Sequence, residues 1–301
     1  MTATFRINHH TAYRYDRPVS LGPHRLMIRP RDGHDLRVLD SAISITPNAR
    51  LHWSFDTFGN SIGQATFDEP SDTLEINSQL LIRRYPLDMV LRSADRGRTP
   101  YPFVYDSDDG IDLQPLLAQE NPGELPVLQD WLNSAFTNRP DDALALLRTL
   151  SDTIHESFEY SRRAEMGTQT AAETIGKGRG TCRDFALLFM EAARSLGFAA
   201  RFVTGYLYDS SGSDDRVVGS GATHAWAEIF IPHTGWVEFD PTNRIIAGVS
   251  LIRVAVTRTA AQASPITGTF VGNGAILLDL DVRVDVNEEP DARELMPDGL
   301  L

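Results

Sequence analysis

The chain holds one cysteine, Cys182, in 301 residues. A single thiol supports neither a disulfide framework nor a cysteine-based zinc site within one chain. It is either a small buried hydrophobe or a reactive group. Long apolar runs are missing as well, since no stretch approaches the roughly 20 residues that span a bilayer. The opening MTATFRINHH lacks the charged-then-apolar layout of a secretory signal and already alternates like a strand. These absences lead to the expectation of a cytoplasmic protein without a membrane partner. Positive charge is scarce: 28 Lys and Arg stand against 41 Asp and Glu, a net charge of −13. Phosphate-backbone binders concentrate basic residues, so no nucleic-acid partner is expected. The eight histidines form no helical His-x-x-x-His pair or comparable cluster, and no metal or other cofactor is expected. The glycine cluster GKGRG (176–180) lacks the Gly-Lys-Ser/Thr ending of a phosphate loop and follows a helix, not a strand.

What is present is ordinary globular composition, 42% hydrophobic and 23% charged, on a chain long enough for two cores. Residues 1–88 read as β. Phe5, Ile7, Thr11, Tyr13 and Tyr15 alternate, with His9 in the same register, and LMIRP, AISITP, LHWSFDTFGN, SIGQATF and TLEINSQLLI follow. Each run is short and ends at a turn residue, the spacing of an antiparallel sandwich or barrel. His9 and His10 point to opposite faces of a strand and make no metal pair. A polar, breaker-rich link follows from Ser93 to Pro102.

Helical periodicity then takes over. Pro140 suits a first turn, and Ala143, Leu147, Leu150, Ile154 and Phe158 form one apolar stripe. Thr170 and Glu173 make a capping-box pattern, as do Thr181 and Asp184. The second pattern opens a helix whose apolar face is Phe185, Phe189, Ala192, Ala193 and Leu196. A strand reads from Phe198 to Tyr208. Residues 209–222 are expected to form a flexible connection beside the site that gates entry. THAWAEIFIP and TGWVEFDPTN read as a hairpin. Alternation of Leu278, Leu280, Val282, Val284 and Val286 with polar residues predicts a half-buried strand. The division expected is an N-terminal β domain at 1–88, a catalytic domain at 105–286 and a flexible tail at 287–301, with the two domains sharing an interface.

Cys182 begins a helix, where free backbone N–H groups and the helix dipole favour negative charge. A thiolate is stabilised there, and the thiolate is the nucleophile. The same N–H groups can face a developing oxyanion. Folding the hairpin about Pro232–Gly235 sets His224 opposite, or nearly opposite, Asp240. Cross-strand Cβ atoms lie about 4.5–5.5 Å apart, close enough for a carboxylate to orient an imidazole. Taken singly, His224 is equally a structural strand histidine, Asp240 a turn opener, and Trp226 and Trp236 core aromatics.

GRGTCRDFALLFMEAARSLGFAARFVTGYL, THAWAEIF and GWVEFDPTN resemble the three catalytic segments of the transglutaminase-like superfamily. HHTAYRYDRPVSLG, IRPRDG and DTFGN resemble the β region that precedes this core in a bacterial branch. The resemblance implies an α+β, papain-like core, a Cys-bearing helix packed on an antiparallel sheet, and acyl transfer from an amide through a thioester. It implies Cys182 as nucleophile, His224 as general base and then acid, and Asp240 as orienter. Thr181, Asp184, Trp226 and Trp236 are candidate supporting or substrate-binding residues; Thr181 stands where the family often has an apolar residue. The implied partner is a peptide or protein substrate bearing an amide. Water as acceptor makes a peptidase or amidase, an amine makes a crosslinker, and a catalytically silent binding protein on the same fold is the remaining alternative.

Overall fold

The breaker-punctuated runs of the first third do form strands. In the computed structural model, which describes residues 2–85, 98–136, 138–162, 167–209 and 221–290, they are β1 (Ala3–Leu21), β2 (His24–Leu26), β3 (Leu36–Thr46), β4 (Ala49–Phe55), β5 (Ser61–Phe67) and β6 (Ser71–Arg84). Helices Ser107–Leu117, Leu125–Ala135 and Ala143–Ser157 come next, then β7 (Glu159–Tyr160), helix Ala171–Lys177, β8 (Arg179–Gly180) and helix Cys182–Ser195. The chain continues through β9 (Ala200–Leu207), β10 (His224–Ile231), β11 (Gly235–Asp240), β12 (Ile245–Ile246) and β13 (Leu251–Thr257), and ends with β14 (Ile266–Thr267), β15 (Phe270–Val271) and β16 (Leu277–Glu289).

The N-terminal region is two antiparallel sheets, one ordered β15-β1-β6-β3 with β16 also on β1, the other β14-β2-β5-β4. Alternate residues Leu74 and Ile76 of β6 meet Leu26, Ile28 and Ala65 of the facing sheet to form its core. The sheet that carries His224 and Asp240 runs β12-β11-β10-β9-β13, antiparallel throughout. Strand β10 is apolar on its odd positions: Ala225, Ala227, Ile229 and Ile231 pack against Phe185, Ala186, Leu188 and Phe189 of the Cys182 helix. That face is the expected papain-like layer of helix on sheet.

The other face of this sheet meets the N-terminal strands. Phe5, Ile7, Leu80 and Ile82 share a cluster with Tyr206 and Ile252. Asn60, in the β4–β5 turn, is buried; its side-chain amide donates to the Val256 carbonyl (2.6 Å) and its carbonyl oxygen accepts from Val256 N–H (2.9 Å). The two regions therefore share the interface anticipated from sequence.

Two expectations change. The alternating strand near the end is real, but it does not belong with the unit expected at 105–286. Its residues Leu277–Glu289 pair along β1, from Thr4↔Glu289 to Tyr15↔Leu277, and complete the N-terminal sheet. It runs past position 286 into the segment read as tail, and Leu278 and Leu280 are exposed while Val284 is buried. Alternation reports two faces, not which partner covers one of them. Secondly, Pro140 precedes the helix it was expected to open: Asp142 caps Ala143–Ser157, its carboxylate accepting from Ala145 N–H at 2.9 Å. Of the expected gating loop 210–220, of the link 93–97 and of the tail 291–301 lie outside the described residues. No described helix is long and apolar enough to cross a membrane.

Candidate active site

The local chemistry around Cys182 follows from its neighbours. Helix Ala171–Lys177 ends at Gly178, whose φ of 65° is a left-handed cap that suits glycine. Strand β8 then pairs parallel with β7, Tyr160 against Gly180. Thr181 is the N-cap of the next helix: its N–H (2.8 Å) and its hydroxyl (2.9 Å) both donate to the Asp184 carboxylate. Gln169 adds its backbone N–H at 2.6 Å and its side-chain amide at 3.1 Å to the same carboxylate. Asp184 is fully buried, so these bonds fix the first turn rigidly behind Cys182.

Cys182 opens its helix and His224 opens β10, and these two ends meet. The cysteine is 8% exposed, His224 1% and Asp240 0%. His224 Nε2 bonds the Asp240 Oδ2 at 2.8 Å. In the observed register Glu228 faces Glu238, so His224 and Asp240 are diagonal neighbours on one face, not directly opposite. Asp240 is itself held. Its Oδ1 accepts from Thr242 N–H (2.9 Å) and its Oδ2 from the Asn243 amide (2.8 Å). Thr242 is tied in turn to the Ala143–Ser157 helix, its carbonyl bonded to His155 Nδ1 at 2.9 Å.

His224 Nδ1 is buried at the heart of the site. It is the ring atom left for the thiol, since Nε2 is taken by Asp240. Burial pushes the Cys182 thiol up, but the charge and hydrogen bonding of His224, with the Ala225 backbone N–H, outweigh it and hold the pKa below the ordinary thiol value. Burial likewise disfavours the imidazolium, yet Asp240 and then Cys182 overcome this and raise His224 to about 10. The arrangement favours a thiolate–imidazolium pair at neutral pH.

The supporting candidates divide. Thr181 and Asp184 lie directly behind the nucleophile. Trp226 lies beside His224, its ring nearly parallel at 6.1 Å, but it is fully buried among Val203, Leu207, Leu251 and Val256 and offers no surface to a substrate. Trp236 sits at the far end of the hairpin, paired with Phe230 and covered by the Arg201 guanidinium 4.1 Å away, so it is no platform at this site. The reason is register: Trp236 is four residues from Asp240 on a strand rising about 3.3 Å per residue. Sequence reading passed over Gln169, Thr242, Asn243 and His155. For Thr242 a signal existed, because Asp commonly accepts from the backbone N–H two residues on. Gln169 carried none.

Beneath the site, Glu228 and Glu238 belong to a buried cluster that joins the two regions. Arg84 of β6 contacts Asp35 (2.7 Å) and Glu238 (3.4 Å), while Arg253 contacts Glu228 (2.7 Å) and Asp35 (3.2 Å). Burial above all, with Glu228 and Asp35 nearby and only partly countered by Arg84 and Arg253, raises Glu238 to about 7. No group of three or more His, Cys, Asp or Glu side chains suited to a metal ion occurs among the described residues.

Comparison with known proteins agrees with this architecture. The family described as the bacterial transglutaminase-like N-terminal region matches residues 5–83, and the transglutaminase-like superfamily core matches residues 131–241, the span holding Cys182, His224 and Asp240. An uncharacterised protein of Mycobacterium tuberculosis is 29% identical over 300 residues, covering 95% of this chain and 93% of its own. One from Mycobacterium leprae is 25% identical over 284 residues, covering 93% and 97%. A crystal structure from Cytophaga hutchinsonii, described as a candidate cysteine protease, superposes with a TM-score of 0.73 at 21% identity, covering 97% of this chain and 92% of that one. At that identity the likeness speaks for the fold.

Proposed function

Since the chain belongs to the transglutaminase-like superfamily, we propose that it is a papain-like cysteine enzyme that cleaves amide bonds through a thioester, with water as the acyl acceptor. The observation that carries this reading is the buried Cys182–His224–Asp240 line, with His224 raised to about 10 and the thiol lowered.

The Cys182 thiolate attacks the amide carbonyl carbon, forming the C–S bond as the C=O electron pair moves to oxygen. The N–H groups at the start of the Cys182 helix have no intrahelical acceptors and suit that oxyanion. The imidazolium then gives its Nδ1 proton to the leaving nitrogen as the C–N bond breaks, and the amine departs. Neutral His224 next removes a proton from water, which adds to the thioester; collapse releases the carboxylic acid and restores the thiolate and imidazolium. Asp240 keeps its proton balance throughout. It fixes the ring through Nε2 and stabilises the imidazolium, while Thr242 and Asn243 fix Asp240.

The test is product analysis by mass spectrometry after incubation with a peptide library, with and without an added primary amine. Hydrolysed fragments in both conditions support the reading. Amine-conjugated products in place of free acids refute water as acceptor, and no product from any peptide together with an unreactive Cys182 refutes the enzyme.

A further inference from the structure

The N-terminal sandwich is closed along most of its length and open at one place. The inward-facing row of β3 is Ile45, Ile43, Ser41, and that of β4 is Ala49, Leu51, Trp53, Phe55. Ile43, Ile45, Ala49 and Leu51 pack into the core between the sheets. Further along, the two rows part: Trp53 is 37% and Phe55 67% exposed, and a cavity of about 400 Å³ lies between them and β3. An inward, apolar face is thus left uncovered where the sheets separate. Both strands are edges, β3 ending the first sheet and β4 the second, so each has a row of backbone N–H and C=O groups with no neighbouring strand among the described residues.

The cavity has a polar end. Arg29 lines it, half-buried, and makes no hydrogen bond or ion pair among the described residues. Ser41 and Ser54 also line it. Arg31 reaches over the Phe55 ring at 5.1 Å, so a second cation flanks the mouth. The Trp53 indole is seated over Gly63 of β5, where an added Cβ would come within 3.2 Å of the ring, so one face is supported and the ring is held in place. A partly desolvated guanidinium without a partner calls for an anion, and planar pairing makes a carboxylate its best match.

We propose that this mouth binds an extended acidic peptide, which adds as a strand to an exposed sheet edge with its carboxylate on Arg29 and an apolar side chain against Trp53. The edges supply backbone pairing, the charge selects the acidic residue, and the indole selects its apolar neighbour two positions away on the same face. The site is coupled to the catalytic region by position. Strand β4 runs into the Asp56–Asn60 turn, and Asn60 is bonded on both sides to Val256 of β13. A polypeptide held here is tethered to the body that carries Cys182 and gains effective concentration there.

The experiment measures binding by fluorescence anisotropy on full-length Cys182→Ala protein, so that no probe can be cleaved and the outcome is independent of the proposed catalysis. The probe is fluorescein-labelled Thr-Leu-Thr-Asp-Thr-Leu-Thr-amide, which sets Leu, Asp and Leu on one strand face, together with its Asn counterpart. The acidic probe is expected to bind at least tenfold more tightly than the neutral one. Arg29→Gln should erase that difference, Arg29→Lys should keep part of it, and Trp53→Ala should weaken both probes fivefold or more. A probe N-methylated at alternate amides should not bind. Arg29 holds no other residue in place, so its variants should melt with the parent protein. Equal affinity for the two probes, indifference to Arg29→Gln, or no binding of either at millimolar concentration overturns the proposal. Binding of an oligosaccharide such as chitohexaose with no peptide binding also overturns it.

Discussion

Replacing Asp240 with Asn should disarm the thiolate without displacing it. In the native site His224 titrates near 10 against an ordinary 6.5, even though burial works in the opposite direction. At about 1.4 kcal/mol per pH unit, that is roughly 5 kcal/mol of net preference for the imidazolium. Asp240, at 2.8 Å, is the larger of its two favourable causes. Asparagine keeps the shape but removes the charge, and its amide must face either the Thr242 N–H or the His224 ring. The imidazole should then be mostly neutral at pH 7. Asp240 itself pushes the thiol up, but less than His224 pulls it down, so loss of the imidazolium dominates at sulfur. Iodoacetamide alkylation followed from pH 5 to 10 reads this directly. The parent should react well below the ordinary thiol pKa of about 8.5. The variant should be at least tenfold slower at pH 6.5 and converge with the parent near pH 9. Turnover should fall by about 10⁴-fold, the loss that the same change produces in a Ser-His-Asp triad. Superimposable alkylation profiles would refute the reasoning, since they would mean that Asp240 does not set the charge on His224.

Three further outcomes are expected. Cys182→Ala and His224→Ala should each reduce kcat/KM nearly to background, with the double variant scarcely worse; additive losses would sink the shared-site mechanism. Gly205→Ala should destabilise by about 3 kcal/mol or more in chemical denaturation, because its Cβ would lie 2.2 Å from the Ile252 carbonyl oxygen and 2.6 Å from the Trp226 ring; a loss under about 1 kcal/mol would count against a rigid sheet there. His9 is held neutral in the fold, its pKa lowered to about 4 by burial and then by His10. A depressed folded pKa gives stability that is complete above the unfolded value of about 6.5 and is lost as pH falls toward 4, up to roughly 3 kcal/mol. His9→Gln should flatten that decline, and parallel stability–pH curves for parent and variant would exclude His9 as its source.

How much of this was legible depends on range. The Thr181–Asp184 cap, the Cys182 helix and the β10–β11 hairpin are set by residues within a few positions of one another, and sequence spacing reported them. The His224–Asp240 contact followed from counting around the turn, within one diagonal step. Trp236 was misread because sharing a strand face with Asp240 says nothing about distance along it. Gln169 acts on Asp184 across 15 residues, and Asp35 meets Arg253 across 218. No periodicity encodes such pairs. Burial of Arg84, Glu228 and Glu238 was equally invisible, since an isolated charged residue reads as surface until its counterions are known. The uncovered mouth at Trp53 and Phe55 was hidden for the opposite reason: alternation there looks like any half-buried strand, and only the parting of two sheets exposes it.

The pairing of β16 with β1 bears on how the molecule is made. Strand β1 leaves the ribosome ahead of β6 and pairs with it early, but its other flank, from Thr4 to Tyr15, waits for residues 277–289. Until those residues are made, that flank is a bare edge beside Phe5 and Ile7, on a sheet that also has to dock the region carrying Cys182. The last described strand works as a latch. A chain released before it is translated should keep its triad residues and still lack a finished sheet, leaving a nascent product prone to pair with a second copy rather than with itself.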